Sequence, residues 1–100
     1  MKTVMVRYKT TEAHAEANEV LVRAVFDELR ALAPEGLRYA SYRLADGVTF
    51  VHLATLQAPG ENPLRTLSAF KAFQAQLKDR CVEAPVVTEL SAVDTYGLVA

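Results

Sequence analysis

The sequence has few of the features that mark secreted, nucleic-acid-binding or membrane-spanning proteins. Its single cysteine, Cys81, excludes a disulfide within the chain, as is usual in a reducing cytoplasm. Its 11 basic and 12 acidic residues form no basic tract, which argues against nucleic acid or a membrane surface as a partner. No apolar run approaches the roughly 20 residues of a membrane span, and the run near the N-terminus is short for a signal peptide. We therefore expect a cytoplasmic protein.

Residues that commonly carry catalysis are also scarce. The two histidines and one cysteine lack the spacing of metal ligands, so the sequence predicts no metal site. The chain has no glycine-rich phosphate loop and no nucleophile elbow. We expect neither a bound metal nor a bound cofactor.

The composition favours one packed domain over residues 1–100. Hydrophobic residues make up 51% of the chain and charged residues 23%, which argues against disorder. One hundred residues suffice for one core and are too few for two domains. The hydrophobic fraction is slightly high for a small monomer, and a subunit interface is a natural place for the surplus.

Turn-forming residues divide the chain into six segments. Alternating apolar residues predict strands, and apolar residues spaced three and four apart predict helices. Asp46-Gly47 between two apolar runs predicts a hairpin, and Ala84-Pro85 predicts a break before the last strand. The predicted strands are Lys2–Lys9, Leu37–Leu44, Val48–Gln57 and Val86–Gly97. The first predicted helix is Thr11–Ala33. The second is capped by Asn62, begins at Pro63 and restarts at Ser68.

The order β-α-β-β-α-β predicts an α+β ferredoxin-like fold. This fold has a four-stranded antiparallel sheet with both helices on one face. In the third strand, Phe50 and His52 lie on one face while Val51 and Leu53 lie on the other, so neither face is polar. We therefore predict that the face without helices pairs with a second copy to form a homodimer.

Nearly the whole chain resembles the dimeric α/β-barrel superfamily, and within it the antibiotic biosynthesis monooxygenase-like group. The stretches that carry the resemblance specify the fold. They are Val4-Met5-Val6-Arg7-Tyr8, the helix segment Ala24–Arg30, the Asp46-Gly47 hairpin, the strand segment Thr49–Leu53, and Asn62-Pro63-Leu64 leading into Ala69–Gln74.

This resemblance implies a range of activities, because one fold hosts many functions. Members of the superfamily include cofactor-free oxygenases of quinol-type polyketides, haem-degrading enzymes and small isomerases. The chain contains no tryptophan. The chain therefore cannot match in full the residue sets that these members use. The haem-degrading members use Asn, Trp and His, and the polyketide-oxidising members use Asn, Trp and Tyr.

His52 is the candidate catalytic residue. It lies mid-strand on an apolar face, where a buried imidazole can act as an acid or a base. The alternative is a structural histidine, either one that a neighbouring hydroxyl satisfies or one that is buried at the dimer interface.

Five further residues are candidate ligand contacts. Gln74 lies on the apolar stripe of the second helix, and its amide needs partners if it is buried. His14 and Asn18 lie four residues apart on the first helix, over the predicted end of the sheet. Tyr8 and Tyr39 lie on strands, where a tyrosine can orient a phenolic ligand or simply pack.

Two hypotheses of different classes follow. The resemblance implies a small homodimeric oxygenase that acts, without metal or flavin, on an aromatic or polyketide-like compound. The absence of any compact set of polar residues favours a non-catalytic dimer that binds a small apolar molecule, or none. An enclosed cavity on which His52, Gln74 or a tyrosine converges would favour the enzyme.

Overall fold

A computed structural model describes residues 1–57 and 62–97 of the chain. These residues form four strands, three helices and one turn of 3₁₀ helix. The elements are β1 (Lys2–Thr10), α1 (Glu12–Leu32), β2 (Leu37–Arg43), β3 (Thr49–Leu56), the 3₁₀ turn (Pro63–Thr66), α2 (Ser68–Ala75), α3 (Leu77–Arg80) and β4 (Cys81–Leu90).

The strands form one antiparallel sheet in the order β2-β3-β1-β4. The predicted ferredoxin-like arrangement is therefore confirmed, with β3 and β1 at the centre. Val6 pairs with His52 and Tyr8 pairs with Phe50, so these side chains share one face of the sheet. The helices pack on this face, and the core forms between them. Its buried hydrophobic residues are Tyr8, Val22, Val25, Phe50, Leu64, Leu67, Phe73 and Leu77.

The Asp46-Gly47 hairpin forms as predicted, with the two residues in different roles. Gly47 adopts a φ of 78°, a left-handed conformation that favours glycine. The Asp46 carboxylate accepts hydrogen bonds from the backbone N–H groups of Val48 (3.0 Å) and Thr49 (2.9 Å). The Thr49 hydroxyl also donates to it, and these bonds lower the pKa of Asp46 to about 2.

The connection into α2 also follows the sequence signals. The Asn62 side chain accepts a hydrogen bond from the Leu64 N–H at 3.0 Å and so caps the 3₁₀ turn that begins at Pro63. A new helix then begins at Ser68. This turn places Leu64 and Leu67 in the core.

The last strand begins and ends earlier than predicted. It runs from Cys81 to Leu90, so the predicted break at Ala84-Pro85 and the strand up to Gly97 are wrong. Proline fits because β4 is an edge strand, and the pairing with β1 shifts register between Arg7 and Lys9, opposite this proline. Tyr96 lies outside the strands and is fully exposed.

The second face of the sheet carries apolar side chains, and no helix within the described ranges packs against it. Register places Met5, Val51 and Leu53 on this face, together with Tyr42 and Val86, which are 55% and 62% exposed. We call this set the outer sheet face. In the same ranges, no helix has the length and apolar character that crossing a membrane requires.

Candidate functional site

A pocket of about 650 Å³ lies between the helix-covered face of the sheet and the segment from the 3₁₀ turn to α3. This volume is within the range of small-molecule sites. All four strands contribute to its wall. The lining residues are Lys2, Val4, Val6, Tyr8, Tyr39, His52, Ala54, Leu56, Asn62, Leu64, Arg65, Phe70, Phe73, Gln74, Leu77, Lys78, Pro85 and Val87.

His52 lies at the centre of the polar part of this pocket. Its Nε2 atom lies 2.7 Å from the hydroxyl of Tyr8. Its Nδ1 atom lies 2.5 Å from the hydroxyl of Ser41 and 3.0 Å from that of Tyr39. The Tyr8 and Tyr39 rings stack beside the imidazole at centroid distances of 5.3 and 5.9 Å. Both ring nitrogens therefore have hydroxyl partners before any ligand binds.

A buried chain of hydrogen bonds fixes the direction in which Tyr8 donates. The Arg80 guanidinium can only donate, and its Nε–H donates to the Asn18 side-chain oxygen at 3.1 Å. The Asn18 amide therefore presents its NH₂ group to Tyr8, and this group donates to the hydroxyl oxygen at 2.8 Å. Since Tyr8 accepts from Asn18, its own proton points to His52 Nε2.

The resulting tautomer of His52 carries its proton on Nδ1. This N–H donates toward the hydroxyls of Ser41 and Tyr39, while Nε2 accepts from Tyr8. Arg80, Asn18, Tyr8 and His52 thus form one directional chain that runs from a buried cation to the pocket. We call these four residues the buried relay.

Burial keeps the imidazole and the two phenols at the centre of this site neutral. It lowers the pKa of His52 to about 4, because the imidazolium loses solvation. It also raises the pKa of Tyr8, and the hydrogen bond from Asn18 opposes this rise only in part. Burial raises the pKa of Tyr39 to about 12. At neutral pH the site therefore presents a neutral imidazole between two protonated phenols.

Of the three other predicted contact residues, the structure places Gln74 in the pocket lining and Asn18 and His14 outside it. Gln74 lines the pocket and is exposed, so its amide is not buried in the core. Asn18 is fully buried behind Tyr8 and does not line the pocket. His14 is exposed at the start of α1, where its Nδ1 lies 2.7 Å from the Thr11 hydroxyl.

Sequence reasoning missed Arg80 and Ser41. Arg80 follows Lys78 and Asp79, a local pattern typical of an exposed helix end, yet its side chain is only 6% exposed. Its Nη2 group donates to the carbonyl of Phe73 at 2.7 Å, and its guanidinium lies over the Phe73 ring. For Ser41, alternation along β2 was the available signal, because it puts Ser41 on the same face as Tyr39.

A second groove, of about 620 Å³, lies between α1 and β2 and is less suited to an apolar ligand. Charged residues that already pair with one another line much of it. Arg43 binds Glu16 at 2.8 Å and Glu19 at 3.1 Å, and Arg23 also pairs with Glu19. These bonds raise the pKa of Arg43 and lower that of Glu19. Within the described residues, neither this groove nor any other place holds a cluster of metal-ligating side chains.

Comparison with solved structures identifies the fold. A candidate antibiotic biosynthesis monooxygenase from Nitrosomonas europaea superposes with a TM-score of 0.78 at 13% identity, over 94% of this chain and 100% of that one. The Mycobacterium tuberculosis protein Rv0793 superposes with a TM-score of 0.75 at 23% identity, over 94% of this chain and 96% of that one. A candidate antibiotic biosynthesis monooxygenase from Caulobacter crescentus superposes with a TM-score of 0.71 at 24% identity, over 93% of this chain and 90% of that one.

No protein-family model matches the sequence, and no curated protein matches it. The structural neighbours extend over nearly the full length of both chains, as the sequence resemblance implied. The chain therefore has the ferredoxin-like fold of the antibiotic biosynthesis monooxygenase-like proteins.

Proposed function

We propose that this protein is a cytoplasmic, homodimeric, cofactor-independent monooxygenase that acts on small aromatic or polyketide-like compounds. The observation that carries the proposal is the pocket of about 650 Å³ in which Tyr8, His52 and Tyr39 converge on a mostly apolar wall. Apolar and aromatic side chains suit a flat aromatic ligand, and the hydroxyls supply the few directional contacts such a ligand needs. Several structural neighbours are described as candidate antibiotic biosynthesis monooxygenases.

The buried relay supplies a route for a substrate proton. A phenol or enol of the substrate donates to the Tyr8 oxygen while Tyr8 passes its own proton to His52 Nε2. The imidazolium that forms has Ser41 and Tyr39 as hydrogen-bond acceptors at Nδ1. Because burial raises the pKa of Tyr8, the Tyr8 side chain accepts one proton and passes on the other in a single step, and it does not persist as tyrosinate.

The reaction balances without an added reductant. The deprotonated substrate passes electrons to molecular oxygen, one oxygen atom enters the substrate, and the other leaves as water with two substrate hydrogens. All four electrons that oxygen accepts come from the substrate. The role of the protein is to hold the substrate anion beside the buried relay and to accept its proton.

The outer sheet face supports the homodimer. Its apolar side chains include Tyr42 and Val86, which are more than half exposed, and Arg7 lies between Val51 and Val86 in the register of the sheet. A second copy of the same face would remove this surface from water through a two-fold contact. Sedimentation at micromolar concentration should then give twice the monomer mass.

A second candidate function is non-catalytic binding of a small apolar molecule in the same pocket. One observation favours it: both nitrogens of His52 are already paired with protein hydroxyls, and burial lowers its pKa to about 4. A weakly basic imidazole gives proton transfer a small driving force. The pocket would then serve as a ligand site only.

Oxygen consumption separates the two candidate functions. Purified protein is mixed with a panel of quinols and polyphenols, and oxygen uptake is followed with an electrode against buffer and against heat-denatured protein. Chelator is present throughout, so that trace metal does not oxidise the quinols. The monooxygenase proposal predicts enzyme-dependent uptake and one oxygen atom from labelled O₂ in the product.

The matched variants are His52→Gln and His14→Gln. The first removes the titratable group of the relay, and we expect uptake to fall by about 10²-fold or more. The second changes an exposed histidine outside the pocket and should retain the activity. Saturable binding of a quinol with no oxygen uptake would instead establish the binding module.

A further inference from the structure

Among the described residues, the charged side chains that line the apolar pocket are all basic. Lys2, Arg65 and Lys78 line it, and its described lining includes no aspartate or glutamate. The whole chain has a net charge of −1, so this local excess is not a consequence of a basic composition. Across residues 1–57 and 62–97, none of the three cations forms a salt bridge. Among these residues, no ion pair neutralises their charges.

Topology places two of these cations at one end of the pocket. Lys2 pairs with Leu56, where β3 ends, and Arg65 lies in the 3₁₀ turn that follows β3 in the chain. His52 pairs with Val6, four residues along β1 from Lys2, which is about 13 Å at the usual rise of a strand. The wall between the two ends is apolar and includes Val4 and Ala54. Lys78 approaches from α3.

We infer that the pocket selects an aromatic carboxylate whose hydroxyl lies at the end of the ring system opposite the carboxylate. This inference rests on the proposed function, since it takes the His52 end as the site of the reacting hydroxyl. The hydroxyl contacts Tyr8 and Tyr39, the rings lie on the apolar wall, and the carboxylate faces Lys2 and Arg65. A phosphate fits less well, because single side chains from separate elements supply the charge and the sequence has no phosphate-cradling loop.

The probe pair is 6-hydroxy-2-naphthoate and its methyl ester. The two differ in charge while keeping the bicyclic ring and its hydroxyl. Binding is followed by naphthalene fluorescence, which is cleanly observed because the chain contains no tryptophan. We expect the carboxylate to bind about ten-fold more tightly than the ester at low salt, and the difference to shrink in about 0.5 M NaCl through screening.

Single substitutions identify the cations that act. Lys2→Gln and Arg65→Gln should each weaken carboxylate binding about two- to five-fold, the range of solvent-exposed ion pairs, and leave ester binding unchanged. Lys78→Gln should have a smaller effect, because Lys78 lies on α3 close to Arg80, whose carbonyl accepts a hydrogen bond from Thr11 at the other end of β1. Lys71→Gln is the matched control, because Lys71 is an exposed lysine on α2 that does not line the pocket. It should bind both probes as the parent protein does.

The outcomes distinguish this inference from the proposed function. Equal affinity for the acid and the ester, in all variants, would overturn the preference for an anion while leaving an aromatic pocket. Tight carboxylate binding with no oxygen uptake from hydroxylated aromatic acids would support the inference and contradict the monooxygenase. Failure of both probes to bind would overturn the inference.

Discussion

Lowering the pH from 7 to 4 should destabilise this protein through His52. Burial lowers the pKa of its imidazole from 6.5 to about 4 in the folded state, whereas the unfolded chain keeps the ordinary value. Between these two pKa values the unfolded state binds the proton and the folded state does not. The contribution of the neutral His52 to the free energy of unfolding is therefore complete above pH 6.5 and is lost as the pH falls toward 4.

The size of this effect follows from the shift. The folded and unfolded pKa values differ by about 2.5, and each pKa unit corresponds to about 1.36 kcal/mol, so His52 alone removes about 3 kcal/mol by pH 4. The Asp46 carboxylate changes little here, because its folded pKa is about 2 and its contribution disappears mainly below pH 4. A loss of this size is a large part of the stability of a small domain.

Urea denaturation at a series of pH values, followed by circular dichroism, measures this loss. His52→Gln should flatten the dependence between pH 6.5 and 4, while His14→Gln should keep it. Because the chain has only two histidines, a ¹⁵N-edited NMR titration can also assign each imidazole and its tautomer. A His52 signal that titrates near pH 6.5, or one protonated on Nε2, would refute the account of the buried relay.

Three substitutions test the remaining structural conclusions. Tyr8→Phe leaves His52 Nε2 and the Asn18 NH₂ group without their shared partner, so we expect a loss of about 2–4 kcal/mol in urea denaturation together with loss of oxygen uptake. Leu53→Arg places a charge on the outer sheet face and should give a folded monomer in sedimentation; a stable dimer would contradict the proposed interface. Gly47→Ala should cost about 1 kcal/mol from the positive φ alone, since the added Cβ would meet only an Arg43 nitrogen, 3.9 Å away; an unchanged midpoint would refute this.

Local signals in the sequence were sufficient for most of the fold. The Asp46-Gly47 turn and the Asn62-Pro63 start of the 3₁₀ turn act through neighbouring backbone groups, so they can be recognised without tertiary structure. Pro85 misled the prediction because its effect depends on the place of its strand in the sheet. In a central strand it would remove a ladder hydrogen bond, but β4 is an edge strand that accommodates it with a shift in register.

The sequence by itself determined the order of the elements, the apolar character of both sheet faces and the candidacy of His52. Tertiary structure alone decided what surrounds His52, because Tyr8, Ser41 and Arg80 reach the site from β1, β2 and α3. Periodicity shows which face a residue occupies, but not which distant residue faces it across the core. Arg80 illustrates the point: its local sequence resembles an exposed helix end, and only the packing of α3 against α1 buries it beside Asn18.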